Sequence, residues 1–224
     1  MTKNLYMEKI GKKAKLASLN LSNVNIGKRN SVLKQFSQYL KTNSQLILSS
    51  NKKDIFRAKS KKIKDSMIDR LKLSNKKIAQ MRNSIEEIIR FKDPVGKTLS
   101  SWKRPNGLII KRVSIPIGII GIIYESRPNV TSDVSALCFK SGNVVILRGG
   151  SEAFHSNKIL AKLFKKALKK KKCDENCVQF VESKDRHHVD YLLSKMKNYL
   201  DLIIPRGGKG LVKKVLKKSS VSII

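Results

Sequence analysis

Short apolar runs alternate with amphipathic segments through the second half of the chain, and this alternation most constrains the fold. Apolar runs cover residues 115–124, 144–147, 177–181 and 200–204, and a fifth begins at residue 221. Helical patterns lie between them, at residues 132–140, 153–170, 186–196 and 209–217. Strands that alternate with helices of this length predict an α/β fold with a doubly wound, Rossmann-like parallel sheet.

The first 90 residues have helical spacing of their apolar residues, and Ser74 is placed to cap the helix that ends near Arg90. Residues 91–107 contain two Pro and two Gly and are predicted to form a loop. A strand is expected at 108–113, beside the run at 115–124. We therefore expect an N-terminal helical region, 1–107, packing on a dinucleotide-binding α/β domain, 108–224.

Local signals also predict where one central helix starts and stops. Thr131 or Ser132 can cap the helix that runs to Lys140, and Gly142 suits the position just after its end. A Gly-rich turn follows the apolar run at 144–147, and a second follows the run at 200–204. Since the carboxyl ends of parallel strands share one edge of a sheet, we expect both turns at that edge, where ligands of such sheets bind.

The two Gly-rich turns have the composition of anion-binding turns. The first contains Arg148, Gly149, Gly150, Ser151 and Glu152, and the second contains Arg206, Gly207 and Gly208. Glycine lets backbone N–H groups approach an anion, and the start of the following helix adds a favourable dipole. The alternative for the first turn is a plain tight turn with a solvated Arg148. The second turn is not a Walker A loop, because no correctly spaced Lys-Ser/Thr closes it.

The net charge of +33 raises the possibility of nucleic-acid binding. Lys greatly outnumbers Arg, is spread from end to end, and occurs together with abundant Asn and Ile, which is typical of an AT-biased coding sequence. There is no nucleic-acid-binding motif, so no specific nucleic-acid partner is expected. No run of eighteen apolar residues occurs, so no membrane span is expected. The unpaired set of 3 Cys suits a reducing cytoplasm.

The Cys and His residues do not form a metal motif or an obvious catalytic pair. Cys138 is expected to be buried packing in a short helix. Cys173 and Cys177 flank a loop with no second ligand pair nearby, so no metal site is predicted. The three His residues stand near helix starts and are expected to be partly exposed and not catalytic: His155, His187 and His188.

Several short segments resemble one enzyme family. They are Tyr-Glu-Ser-Arg-Pro-Asn-Val at 124–130, Ser-Met-Ile-Asp-Arg-Leu at 66–71, Asp-Pro-Val-Gly at 93–96, Arg-Pro-Asn-Gly-Leu at 104–108 and Ile-Pro-Arg-Gly-Gly-Lys-Gly-Leu at 204–211. In this order they resemble the gamma-glutamyl phosphate reductases, the glutamate-5-semialdehyde dehydrogenases of the aldehyde dehydrogenase superfamily. The resemblance covers essentially the whole chain.

The resemblance implies NADP(H) as cofactor and gives each turn a role. The turn from Arg148 to Glu152 would hold the adenosine side, with Arg148 on the 2′-phosphate. Arg206, Gly207 and Gly208 would lie against the pyrophosphate and the nicotinamide side. Asn129 would donate to the oxyanion that forms on the substrate; alternatively it only structures its own turn. Arg127 would pair with a substrate carboxylate or phosphate, or only with another side chain.

The implied reaction is the NADPH-dependent reduction of gamma-glutamyl phosphate to glutamate 5-semialdehyde, with release of phosphate, in proline biosynthesis. The family's nucleophilic Cys lies beyond the last residue of this chain. We therefore expect a truncated copy that carries the cofactor half, is inactive alone and forms a homo-oligomer in its full-length form. Two alternatives stay open: a non-catalytic dinucleotide-binding remnant, and a basic polyanion-binding protein.

Overall fold

The computed structural model describes residues 3–224. Its N-terminal helices are α1 (Lys3–Ser22), α2 (Ile26–Thr42), α3 (Ser44–Ser60), α4 (Asp65–Leu71) and α5 (Asn75–Arg90). The later helices are α6 (Asn129–Lys140), α7 (Phe154–Lys170), α8 (His187–Ser194) and α9 (Lys209–Lys218). The helical prediction for the first 90 residues is confirmed within these bounds; Met1 and Thr2 lie outside the described residues.

A four-stranded parallel sheet occupies the second half of the chain. Its strands are β3 (Ile119–Tyr124), β4 (Val144–Gly149), β5 (Val178–Phe180) and β6 (Leu202–Arg206). Their spatial order is β5-β4-β3-β6, and all neighbouring pairs are parallel. The α/β prediction is confirmed. Of the expected fifth strand, a single parallel bridge forms, between Ile203 and Ile223.

Helices cover both faces of this sheet. The chain runs outward from β3 through β4 to β5 and then returns to place β6 on the other side of β3. Because parallel crossovers are right-handed, α6 and α7 lie on one face and α8 lies on the other. Helix α2 packs against α6 and α7, whereas α1 packs against α8, β3 and β4. The sheet is therefore buried on both sides, which explains why β3 and β4 are continuous apolar runs.

One apolar core joins the N-terminal helices to the sheet. It extends from Met7 of α1 to Val221 and includes the buried residues of β3 and β4. The ring centroids of Phe36, on α2, and Phe164, on α7, lie 4.6 Å apart. Buried aromatic pairs of this kind contribute about 0.5–1.5 kcal/mol beyond the area they bury. Helix α5 begins as predicted, because the Ser74 side chain accepts a hydrogen bond from the backbone N–H of Lys77.

The loop predicted at 91–107 is partly wrong. Residues Thr98–Lys103 form β1, which pairs antiparallel with β2 (Ile109–Val113) around a turn that contains Gly107. The strand at 108–113 was expected beside the run at 115–124 and instead pairs only with β1. Every residue of β1 is exposed, so this strand lacks the alternating burial on which the sequence prediction relied.

Two element starts also differ from the sequence prediction. Strand β3 begins at Ile119 and not at residue 115, and Ile115 is 79% exposed. Helix α6 begins at Asn129, with Pro128 at its cap position and no side-chain capping bond. Thr131 and Ser132 are therefore not caps; both are buried inside the first turns of the helix. Gly142 does follow the helix end with a positive φ of 74°, as predicted.

We predict that Gly118→Ala destabilises the protein, because Gly118 stands immediately before β3 with φ 124°. A Cβ there would also collide with the carboxylate of Asp201, which accepts a hydrogen bond from the backbone N–H of Ile119 at 2.7 Å. The free energy of unfolding, measured by urea denaturation, should fall by more than about 1 kcal/mol.

Gly210→Ala is the matched control for this change. Gly210 lies in α9, and no atom stands within 4 Å of the position that a Cβ would take there. Alanine at this position should therefore be neutral or should stabilise the helix by up to about 1 kcal/mol. Equal unfolding free energies for the two variants would contradict the proposed strain at Gly118.

Candidate functional site

The carboxyl ends of three strands meet at one edge of the sheet. In the sheet register, Tyr124 of β3 lies opposite Gly149 of β4 on one side and Arg206 of β6 on the other. The prediction that both Gly-rich turns share this edge is confirmed. The strand order reverses between β3 and β6, and a crevice for ligands forms at such a reversal in open α/β sheets.

The loop after β3 connects two of these strand ends. The backbone N–H of Glu125 donates to the carbonyl of Arg206 at 3.3 Å, and the Glu125 carboxylate accepts from the N–H of Gly208 at 3.0 Å. Ser126 is buried, whereas Arg127 projects into solvent. The loop is therefore anchored to the turn after β6 and exposes a guanidinium beside it.

Two adjoining cavities open at this edge. The first has a volume of about 370 Å³ and is lined by Met67, Arg70, Tyr124, Glu125, Ser126, Arg127, Val130, Arg206, Gly207 and Gly208. The second has a volume of about 450 Å³ and is lined by Asp69, Arg70, Leu73, Lys77, Gln80, Met81, Ser84, Arg127, Asn129 and Asp133. Arg70 and Arg127 line both, so the two cavities form one crevice between the loop after β3 and helices α4 and α5.

Asn129 faces the second cavity from the first position of α6. Its amide Nδ2 donates to the carboxylate of Asp133 at 3.0 Å, and burial raises the pKa of Asp133, opposed by its hydrogen bonds with Asn129 and Ser132. An amide NH₂ has two donors. With one hydrogen held by Asp133, the other remains to bind an oxygen in the cavity.

Arg148 is the last residue but one of β4 and is only 6% exposed. Its guanidinium donates to the carbonyl of Gly149 and, at 3.4 Å, to the carbonyl of Lys184. Burial lowers the pKa of Arg148, and the neighbouring Glu152 opposes that change. The side chain thus joins the turn after β4 to the segment after β5, and in this structure it points at backbone oxygens.

Other cations surround the same turn. Arg57 and Lys61, from α3 and its end, line a small depression together with Ser151, Glu152 and Lys184. Burial lowers the pKa of Lys184, and the nearby positive charges of Arg57 and Lys61 lower it further. The outer side of the first Gly-rich turn is therefore rich in positive charge, although Glu152 contributes one carboxylate.

The glycines of the two turns let neighbouring side chains pack directly against the backbone. A Cβ at Gly149 would collide with Asn157 and press on the ring of Tyr124, and a Cβ at Gly207 would stand 2.6 Å from Cδ of Glu125. Gly208 has nothing closer than 3.9 Å to its Cβ position and is exposed. Among the glycines of the two turns, Gly208 has a backbone that a phosphate could approach closely.

The three Cys residues stand away from the crevice. Burial raises the pKa of Cys138 and of Cys177 to about 12 each. Cys173 is half-buried, and its pKa is also raised. None of them is among the residues that line the two cavities. Among residues 3–224, no three His, Cys, Asp or Glu side chains gather in a way that could hold a metal ion.

The prediction that all three His residues are partly exposed is wrong for His188. His188 is 5% exposed, and its ring packs against that of Tyr6 at 5.3 Å. Helix α1 covers it, which the spacing of residues in α8 alone does not reveal. His187 is exposed, and His155 is half-buried with its ring nitrogen 3.0 Å from the guanidinium of Arg57.

Arg70 is the functional candidate that sequence reasoning missed. It lies in the short helix α4, more than fifty positions before the loop that carries Arg127, and no local pattern brings the two together. The available signal was the segment at 66–71, which resembles the reductases without a role assigned to any of its residues. In the part of the chain that the structure describes, no helix is both long and apolar enough to span a membrane.

Comparison with known proteins agrees with this geometry. The chain is 44% identical over 221 residues to gamma-glutamyl phosphate reductase from Clostridium tetani, which covers 99% of the chain and 51% of the relative. A crystal structure of gamma-glutamyl phosphate reductase from Thermotoga maritima superposes with a TM-score of 0.93 at 41% identity, over 96% of the chain and 52% of that protein. Over nearly its whole length, the chain is homologous to these reductases. It spans about half the length of the curated relatives it matches.

A protein of much lower sequence identity has the same fold. Propionaldehyde dehydrogenase from Rhodopseudomonas palustris superposes with a TM-score of 0.70 at 16% identity, over 97% of the chain and 46% of that protein. This likeness shows an aldehyde dehydrogenase-type fold and no more. No protein-family model matches the chain.

We predict that Cys138 and Cys177 do not react with iodoacetamide at pH 8, because the thiolate is the reactive form and burial holds the pKa of each at about 12. Cys173 should react first, since it is half-buried. Peptide mass spectrometry of the alkylated chain measures this order, and labelling in urea should modify all three. Rapid labelling of Cys138 in the folded chain would contradict its burial and would reopen it as a nucleophile.

Proposed function

We propose that this chain forms the cofactor-binding half of an NADPH-dependent reductase that converts gamma-glutamyl phosphate to glutamate 5-semialdehyde, with release of phosphate, in proline biosynthesis. The observation that carries the proposal is that the second Gly-rich turn and Asn129 line one crevice where the strand order reverses, with the first Gly-rich turn at the same edge of the sheet. The similarity to reductases from Clostridium tetani and Thermotoga maritima supports the same reaction.

The proposed roles follow the geometry of the edge. NADPH, when bound, supplies the hydride. The turn from Arg148 to Glu152 would hold the adenosine side, and the backbone of Gly207 and Gly208, with Arg206, would lie along the pyrophosphate and nicotinamide side. The exposed backbone at Gly208 admits the close approach that such phosphates need. Glu125 holds the turn after β6 in place through its bond to Gly208.

Asn129 is proposed to stabilise the negative charge that develops on the substrate carbonyl oxygen. Asp133 acts as a positioning residue, since its carboxylate orients the Asn129 amide. The covalent step needs a thiolate, and we propose that none of Cys138, Cys173 and Cys177 supplies it. Two of them are buried and none lines the crevice.

We predict that NADPH binds to the chain more tightly than NADH and that Arg148→Ala removes much of the difference. A well-formed bond between a guanidinium and a phosphate contributes about 1.5–3 kcal/mol, so NADPH affinity should fall about 10- to 100-fold. NADH affinity should change much less. Fluorescence titration of both cofactors measures this, with Arg112→Ala, an exposed position on the hairpin, as the charge-matched control.

The alternative outcome for Arg148 has a structural reason. Its bonds to the carbonyls of Gly149 and Lys184 also shape the turn, and equal losses for the two cofactors would show that this is its whole role. Lys184→Gln then tests the cation-rich outer side of the turn separately. Failure of the unmodified chain to bind either cofactor would contradict the proposed function itself.

We predict that Asn129→Ala, in a form of the enzyme that has its nucleophilic thiol, lowers kcat about 100- to 1000-fold. Cofactor affinity should be nearly unchanged, because Asn129 faces the second cavity and not the Gly-rich turns. Steady-state kinetics and cofactor titration measure the two effects. Asn129→Asp is the isosteric comparison, since it keeps the size and removes the donor. A near-normal kcat in Asn129→Ala, or loss of the fold by circular dichroism, would favour the turn-structuring role.

A further inference from the structure

Three guanidinium groups surround the crevice without a carboxylate partner. Arg70 projects from α4, Arg127 from the loop after β3, and Arg206 from the end of β6, and all three side chains are exposed. Within residues 3–224, no ion pair that the structure shows involves any of them. Like charges gathered in this way repel one another, so an anion between them would be strongly favoured.

The nearby carboxylates are occupied by other groups. Asp69 pairs with Lys72 at 2.7 Å, Asp133 accepts from the Asn129 amide at 3.0 Å, and Glu125 accepts from the backbone N–H of Gly208 at 3.0 Å. None of the three forms an ion pair with Arg70 or Arg127, although Glu125 keeps its charge at the first cavity and the charge of Arg206 lowers the pKa of Asp133. The positive charge at the junction of the two cavities remains available to a ligand.

An additional hydroxyl lines the first cavity. Ser126 is 5% exposed, and its Oγ has no hydrogen-bond partner in the described part of the chain. A buried hydroxyl without a partner costs free energy, which a bound acceptor would offset. The wall of the first cavity therefore combines three arginine side chains and one hydroxyl with the single carboxylate of Glu125, and arginine forks match the paired oxygens of phosphate.

We propose that Arg70 and Arg127, with Arg206 beside them, form a binding site for a phosphate dianion. Its ligand is the phosphoryl group of the acyl phosphate and the inorganic phosphate that this group becomes. The proposal rests on the proposed function for the identity of the substrate. It assigns Arg70, in the N-terminal helical region, a direct part in substrate recognition.

The position of Asn129 distinguishes the phosphoryl group from the α-carboxylate. In an acyl phosphate, the phosphate oxygen and the carbonyl oxygen are attached to the same carbon, so the two groups that bind them must be neighbours. Arg127, in the loop after β3, and Asn129, the first residue of α6, line the same cavity. The α-carboxylate lies at the far end of the carbon chain, and the apolar surfaces of Leu73 and Met81 in the second cavity suit the methylene groups between.

The test is binding of inorganic phosphate to the 224-residue chain, by titration calorimetry at an ionic strength of about 0.15 M, where long-range attraction is screened. Arg70→Gln and Arg127→Gln should each weaken phosphate binding about tenfold or more. Arg70→Lys keeps the charge and loses the planar fork, so its phosphate affinity should lie between those of the unmodified chain and Arg70→Gln. Arg104→Gln, in the exposed turn of the hairpin, removes the same charge away from the crevice and should leave the affinity unchanged.

Two results would overturn the proposal. Equal weakening in Arg70→Gln, Arg127→Gln and Arg104→Gln would show that phosphate responds only to the net charge of +33. Unchanged phosphate binding together with loss of L-glutamate binding would assign the site to a carboxylate. NADPH binding, measured on the same samples, should persist in both Arg70→Gln and the unmodified chain. The NADPH titration distinguishes failure of this proposal from failure of the proposed function. A chain that binds no cofactor contradicts the proposed function, whether or not it binds phosphate.

Discussion

A buried carboxylate holds the two halves of this structure together. Asp54, on α3, is 1% exposed and accepts hydrogen bonds from the backbone N–H groups of His155 at 3.0 Å and Ser156 at 2.7 Å, and from the Ser156 hydroxyl at 2.7 Å. These N–H groups belong to the first turn of α7, where a helix lacks internal acceptors and favours negative charge. Helix α7 leaves the Gly-rich turn after β4. The position of that turn therefore depends on a side chain from the N-terminal helices.

The neighbouring Asn51 extends this dependence to the opposite wall of the crevice. Its amide donates to the carbonyl of Leu71 at 2.9 Å and to the Ser156 hydroxyl at 3.0 Å, and its oxygen accepts from the N–H of Leu73 at 2.8 Å. Leu71 is the last residue of α4, the helix that carries Arg70. One helix, α3, thus sets the distance between the proposed substrate wall and the proposed cofactor turn. The N-terminal helices are part of the site's construction and not an accessory layer.

Sequence reasoning located the parallel sheet because β3 and β4 are buried at every position. A strand that is buried on both faces has an uninterrupted run of apolar residues, which is visible in the sequence. The same reasoning located the two Gly-rich turns because glycine after such a run has few other uses. It missed β1 because all six of its residues are exposed, so neither alternation nor a continuous run marks the strand. Local patterns predict an element only where burial imposes one.

The same limit applied to the site. Asn129 and the Gly-rich turns follow strands directly, so the topology alone brings them together. Arg70 reaches the crevice through the packing of α4 against α3, and the inward direction of Arg148 depends on a carbonyl 36 residues away. Contacts between residues so far apart in the chain do not produce a periodic pattern that can be recognised in a single sequence. The role of Arg148 on a 2′-phosphate therefore remains a prediction.

The bond between Asp54 and Ser156 joins residues 102 positions apart, and this separation has a kinetic consequence. At ribosomal rates of about 5–20 residues per second, the acceptor is synthesised about 5 to 20 s before its donors. For helix α1 the interval between its synthesis and that of its partners is longer, because these partners, Gln179 and Tyr191, are synthesised later still. The parts of α1, α2 and α3 that pack against the sheet, α7 and α8 are therefore without these partners while the sheet is synthesised. Such a nascent chain needs either rapid helix–helix association or a chaperone to cover those parts until α7 and α8 emerge.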